Sequence, residues 1–87
     1  MEYPERVPIV VPGAVGTLRP IVLQQWLSEV GNEVYEGERL AELSVPGVLV
    51  SVSSPCRGRL DKILVTPLMT VEASAILGWI ECVEDEG

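Results

Sequence analysis

The sequence contains no histidine and no phenylalanine, a single lysine (Lys62), two cysteines and two each of tryptophan and tyrosine. Without histidine the commonest general base at neutral pH is missing. Two cysteines without Cys-x-x-Cys spacing fall short of a four-ligand zinc site, so no metal centre is expected. Basic residues number six against thirteen acidic ones, for a net charge of -7. That balance excludes a nucleic-acid surface, because phosphate binding draws its affinity from clustered Lys and Arg that release counterions. A membrane span is also missing: the most apolar stretch, residues 64 to 80, is broken by Pro67, Thr70, Glu72 and Ser74. Met1-Glu2 opens the chain without the basic start and apolar run of an export signal. Cys56 and Cys82 could pair in principle, but without such a signal the expected location is a reducing cytoplasm, with Cys56 an unreactive thiol in a turn beside Arg57 and Cys82 a packing residue.

What the sequence does have is aliphatic. Hydrophobic residues make up 47% of it and aromatics only 5%, so the core must be built from Val, Leu and Ile, types that favour strands. At 87 residues the chain is one domain with a modest core. Residues 6 to 11 suit a first strand, with Pro8 tolerable only at an edge or bulge because it removes a ladder donor; Pro12-Gly13 then breaks it. Ile21 to Leu27 reads as a half-buried strand, a short amphipathic helix being the rival, and Gly31-Asn32 follows as a turn. Val34-Tyr35, Leu40 to Val45, Val48 to Val52, Arg59 to Val65 and Ala75 to Val83 complete the apolar runs. The sharpest local signal is Val45-Pro46-Gly47-Val48. Proline presets φ at the second position of a type II turn and glycine accepts the positive φ of the third, so the two flanking runs form a tight hairpin.

An internal repeat organises these pieces. Asn32 to Leu43 set against Met69 to Ile80 matches Val34 with Val71, Gly37 with Ser74, Leu40 with Leu77 and Leu43 with Ile80. Upstream, the neighbourhood of Gly16 and Gly58 open the strand before each copy, and Trp26 and Trp79 fall on strands read as corresponding. Short strands at regular spacing predict a sandwich or barrel. Two similar halves predict a flattened all-β barrel with a pseudo-twofold axis.

Pro12, Trp26-Leu27, Gly31, Val34, Gly37, Leu40-Ala41-Glu42-Leu43, Val50, Val52, Ser54-Pro55, Gly58, Leu77 and Ile80 occur in an order and spacing that resembles the lipoyl domains of 2-oxoacid dehydrogenase acyltransferase subunits and, more distantly, biotin carboxyl carrier domains. The resemblance covers residues 6 to 83, leaving 1 to 5 as an N-terminal extension and 84 to 87 as an acidic tail. It implies a barrel-sandwich of two four-stranded antiparallel sheets. In such families the hairpin tip carries Asp-Lys-Ala or Met-Lys-Met, and the lysine takes lipoyl or biotin in amide linkage. Here Gly47 falls at the lysine's place, with Pro46 before it and Val48 after it. Glycine offers no amine, so the resemblance implies a carrier-like domain without the covalent cofactor. Lys62 is expected inside the strand after Gly58, away from the tip.

The function read from the sequence is accordingly an unmodified protein-interaction or regulatory module of a lipoyl- or biotin-dependent multienzyme complex, with Val45, Pro46, Gly47, Val48 and Leu49 as the candidate contact to a protein partner. Two alternatives stay open: a working covalent carrier, and a structural domain of a membrane-fusion or export subunit, in which the tip usually bears a helical insertion. Catalysis is not expected, since no nucleophile, base and orienting group fall at recognisable spacing. Trp26 and Trp79 could offer a stacking platform, although packing is the ordinary role of large aromatics. Glu29, Glu33, Glu36, Glu38 and Glu42 read as acidic surface. The oligomeric state is not legible.

Overall fold

The computed structural model describes residues 5–83. Eight strands follow one another: β1 (Glu5–Val10), β2 (Ile21–Trp26), β3 (Glu33–Val34), β4 (Arg39–Val45), β5 (Val48–Ser53), β6 (Gly58–Ile63), β7 (Thr70–Val71) and β8 (Ile76–Cys82), with one 3-10 turn at Gly13–Val15. They form two four-stranded antiparallel sheets in the orders β1-β8-β6-β3 and β5-β4-β2-β7. The two-sheet all-β architecture is the one expected. Ile21–Trp26 is a strand, as preferred over the helical rival, while the two-residue β7 lies between the apolar runs read from the sequence. The sequence's N-terminal extension and acidic tail fall, except for Glu5, outside the described residues, and β1 begins at Glu5.

The pseudo-twofold symmetry is written into the hydrogen bonds. Leu27 N–H donates to the Leu40 carbonyl and Leu64 N–H to that of Leu77; Asn32 donates to Glu29 and Met69 to Thr66; Glu38 donates to Tyr35 and Ala75 to Glu72. Each pair of bonds relates residues thirty-seven positions apart, the same displacement that aligns Asn32 with Met69 in the repeat. The irregularities repeat as well. Leu40 and Leu77 are skipped by the pairing of β4 with β5 and of β8 with β1, while Gln24 and Asp61 are skipped in β2 and β6. Such bulges add one residue and bend the strand. They let Leu40-Ala41 and Leu77-Gly78 be buried consecutively, so β4 and β8 share one burial pattern.

The halves are interleaved. β3 belongs to the first repeat but pairs with β6 of the second, and β7 of the second pairs with β2 of the first. Between the sheets lie Leu23 and Leu60, Leu40 and Leu77, Leu43 and Ile80, and Val34 and Val71, all buried, joined by Ile9 and Ile21. Fully burying such a side chain contributes roughly 1.5 to 3 kcal/mol. Gly58 does not pair with Gly16 under this symmetry; its counterpart is Ile21. Glycine is required at 58 for another reason, since a Cβ there would run into the backbone carbonyl of Glu81 on β8.

Pro8 sits mid-strand in β1, which is the edge of its sheet, so the missing N–H interrupts no ladder. On the outer face of the same sheet, Arg6 bonds Asp61 at 2.8 Å, crossing β8 with its guanidinium 5.4 Å from the Trp79 ring, and Arg59 lies 3.7 Å from Glu81. These groups are substantially exposed, so each contact adds at most about 1 kcal/mol.

One expectation is corrected outright. Cys56 and Cys82 are joined in a disulfide, with their Cα atoms 5.8 Å apart. The register explains the meeting: Cys82 pairs with Gly58, two residues beyond Cys56. Neither residue is the free thiol that was expected, and the cytoplasmic expectation loses the support it drew from reduced cysteines. Among the described residues no helix is long and apolar enough to cross a membrane. The bridge spans a sequence separation of 26, for which chain entropy predicts roughly 3.5 kcal/mol of stabilisation. Replacing both cysteines by serine should lower the unfolding free energy in urea by about that amount without altering the far-ultraviolet spectrum of the native state. A loss within the error of the extrapolation would show that the bridge adds nothing.

Candidate functional site

β4 and β5 are joined by Pro46-Gly47 alone, with Val45 paired to Val48 directly behind the turn. Gly47 has φ +85°, the left-handed value that the third position of a type II turn demands. A Cβ built on Gly47 meets nothing within 4 Å. The position therefore projects into open solvent, and any side chain placed there would be presented outward.

The five tip residues separate when their faces are followed. Pro46 and Gly47 are exposed. Val48 and Leu49 are 45% and 62% exposed, but Val45 is 3% exposed and belongs to the core. Val45 shares its face with Leu43, two residues back, so strand alternation turns both inward. The candidate contact is corrected to Pro46, Gly47, Val48 and Leu49. Leu49 lies opposite Ser44 on the outer face, whereas Val48 lies on the inner face and is uncovered only because the hairpin runs past the end of the core.

From Leu43 to Cys56 the chain carries no charged residue. The tip and the strand behind it are thus a neutral apolar promontory on an acidic domain. It stands far from the disulfide. Gly37 and Glu38 bond Ser54, which lies two residues before Cys56, so the bridge sits at the Arg39 end of β4 and the tip at the Val45 end. At about 3.3 Å per residue the two ends are roughly 20 Å apart.

The remaining sequence candidates do not assemble into a site. Lys62 lies on β6 opposite Trp79, in the other sheet from the hairpin. Trp26 donates its indole N–H to the Val65 carbonyl at 2.9 Å and packs half-buried against the core, while Trp79 lies under Arg6. The two tryptophans are not on corresponding strands, because the symmetry relates β2 to β6 and β8 to β4, and they form no platform. Glu38 accepts the Tyr35 backbone N–H, Glu42 accepts from Gln25 at 2.7 Å, and Glu33 pairs across from Arg59. Among the described residues no three His, Cys, Asp or Glu are grouped to hold a metal ion. A shallow cleft lined by Glu33, Val34, Tyr35, Arg57, Gly58 and Val83 lies at the disulfide end.

Leu68 escaped the sequence reading. It adopts φ +75° and is 74% exposed, and its N–H donates to the Leu23 carbonyl at 2.7 Å. Its symmetry counterpart is Gly31, which donates to Leu60 with φ +97°. Extending the repeat one residue towards the N-terminus would have exposed this leucine in a glycine's position.

Among proteins of known kind, a family model described as biotin-requiring enzyme matches residues 8–80. The dihydrolipoyllysine-residue succinyltransferase component of the 2-oxoglutarate dehydrogenase complex from Bartonella vinsonii subsp. berkhoffii is 34% identical over 71 residues, covering 82% of this chain and 17% of that protein. The same component from Buchnera aphidicola subsp. Schizaphis graminum is 27% identical over 73 residues, with coverages of 84% and 19%. The chain spans about a fifth of the length of these curated relatives. The solution structure of the lipoyl domain of the 2-oxoglutarate dehydrogenase complex from Azotobacter vinelandii superposes with a TM-score of 0.70 at 19% identity, covering 85% of this chain and 94% of that domain. A single-chain, multi-domain long-chain acyl-CoA carboxylase gives 0.75 at 17% identity, covering 99% of this chain and 8% of the carboxylase. At such identities the likeness shows the fold.

Two glycine substitutions separate backbone conformation from space. Gly47→Lys should cost on the order of 1 kcal/mol, from the positive φ alone. Gly58→Ala should cost more, because the clash with the Glu81 carbonyl forces the β6–β8 backbone apart. Urea unfolding of both variants checks the order; a reversal would mean that the β6–β8 backbone relaxes to admit a Cβ at position 58, and no loss at Gly47→Lys would mean that the tip is not held in its left-handed conformation.

Proposed function

The chain belongs to the biotin/lipoyl attachment domain family, and we propose that within it this domain is an unmodified interaction or regulatory module that works beside enzymes of a lipoyl- or biotin-dependent multienzyme complex. In this reading Gly47 stands where the family's carriers present the modified lysine. The carrying observation is the tip itself: the two-residue turn Pro46-Gly47 holds no primary amine, yet it projects into open space as a presented position would. Amide attachment of a lipoyl or biotinyl group needs that amine.

Further support comes from Lys62, the sole lysine of the chain. It lies within β6 in the opposite sheet, where strand pairing fixes its backbone and no swinging tip is available. The module needs no cofactor and performs no catalysis of its own. Its partners are enzymes of the kinds named for the similar proteins, a 2-oxoglutarate dehydrogenase complex or an acyl-CoA carboxylase. Direct closure of the hairpin through two residues speaks against the export-subunit reading, which calls for an extended tip. Nucleic acid and membrane are not partners in this proposal. In the cytoplasmic location expected from the sequence, cellular thiols would favour the reduced form of Cys56 and Cys82, whereas an oxidising compartment would preserve the bridge.

The binding mode follows from composition. Val48 and Leu49 enter an apolar depression on the enzyme, while the surrounding acidic surface steers the domain towards basic residues at its rim. Affinity capture from the source cell with the wild type, Val48→Asp and Leu49→Asp tests this. The wild type should retain subunits of one such enzyme, and either aspartate should weaken retention by about 2 kcal/mol, roughly thirtyfold. Equal retention by all three proteins would refute docking through the tip.

A further inference from the structure

The pseudo-twofold axis gives each sheet one long edge strand, β1 in the first and β5 in the second, and the two edges are protected very differently. Hydrogen bonding settles which residues face outward from β5. Ser54 N–H donates to the Glu38 carbonyl at 2.8 Å, and the Ser54 carbonyl accepts from Gly37 N–H at 2.9 Å. Ser54 therefore turns its main chain towards the β4 side, and by strand alternation so do Val52, Val50 and Val48. Leu49, Ser51 and Ser53 turn their N–H and C=O groups to the free side.

The equivalent positions in β1 follow from the register. Val7 pairs with Ile80 as Val50 pairs with Leu43, and Ile80 is the counterpart of Leu43. Arg6 thus corresponds to Leu49 and Pro8 to Ser51. On β1 the central free-side donor is missing and the neighbouring position is charged, the usual means of preventing strand addition. On β5 there is neither proline nor charge.

We propose that β5 is the interface between two copies of this chain, joined edge to edge in antiparallel fashion about a twofold axis at Ser51. In that register Ser51 of one copy lies opposite Ser51 of the other, and Leu49 lies opposite Ser53 on both sides of the axis. These are the three residues whose main-chain groups are free, and each opposed pair exchanges two hydrogen bonds. Side chains opposite one another share a face, so Val50 and Val52 of the two copies meet on the inner side. The free groups fall symmetrically about Ser51, so the strand complements itself in length, in face and in hydrogen bonding.

Charge permits the pairing. The nearest acidic side chain in the row of Ser51 is Glu42 on β4. In the dimer the two Glu42 residues stand three strand spacings apart, about 14 Å, beyond the Debye length of roughly 8 Å at physiological salt. This inference rests on sheet geometry and not on the proposed tip docking. Its variants lie at Ser51, off the tip, so either idea can fail while the other stands.

Sedimentation equilibrium of the full chain across the micromolar to millimolar range tests it. The wild type should show a monomer–dimer equilibrium. Ser51→Lys and Ser51→Glu place like charges directly opposite each other and should each raise the dissociation constant roughly tenfold or more. An equimolar mixture of the two should associate again, because the charges at the axis then attract. Ser51→Pro, which removes the central donor as Pro8 does on β1, should be monomeric with an unchanged circular dichroism spectrum. A wild type that stays monomeric, variants that associate as the wild type does, a mixture no tighter than its components, or β5 engaged only by a different protein would each overturn the proposal.

Discussion

Interleaving of the two halves is the constraint on which everything else in this domain depends. Because β3 leaves the first repeat to pair with β6, and β7 leaves the second to pair with β2, neither half closes a core alone. The inner face of each sheet must then be aliphatic at the same places: Leu23 with Leu60, Leu40 with Leu77, Leu43 with Ile80. Paired bulges at Leu40 and Leu77 bring two consecutive side chains of β4 and of β8 into that core. A domain of this size has few residues to bury, and the largest fully buried side chains, Ile9, Ile21, Leu23, Leu40, Leu43, Leu60, Leu77 and Ile80, are all aliphatic.

The two ends of the sandwich follow from the same symmetry, and they differ. β4 and β8 are counterparts, so the hairpin after β4 and the end of β8 occupy equivalent ends of the fold. Where β8 ends, Cys82 is tied to Cys56 and the pairing with Gly58 is close enough to exclude a Cβ. Where β4 ends, Pro46-Gly47 turns the chain back and nothing covers it. One end is fixed covalently. The other is a rigid two-residue projection, neutral and apolar, on a domain of net charge -7.

Much of this was legible because local chemistry and tertiary structure agree. Apolar alternation located the longer strands, and the Val-Pro-Gly-Val turn is where its sequence put it, since proline and glycine dictate backbone angles without help from neighbours. The repeat gave the pseudo-twofold axis. What escaped depended on register. Val45 was grouped with Val48 and Leu49 by composition, but alternation from Leu43 sends it into the core. The disulfide could not be read from two cysteines without diagnostic spacing, because only the pairing of Gly58 with Cys82 brings Cys56 within reach. The tryptophans look equivalent by their strands, although the displacement of thirty-seven residues that defines the repeat sets Trp26 against Ile63 and Trp79 against Glu42. β7 is too short for periodicity to reveal, and Leu68 carries a backbone conformation that its residue type argues against.

The central claim is that the presented turn of this family member has no attachment point, and that the one lysine elsewhere does not replace it. Intact mass spectrometry of the chain, purified from cells that co-express lipoyl and biotin ligases, tests it most directly. The account predicts the unmodified polypeptide mass, with the disulfide as the sole covalent change among the described residues. A lipoyl or biotinyl increment, mapped by peptide analysis to Lys62, would contradict it.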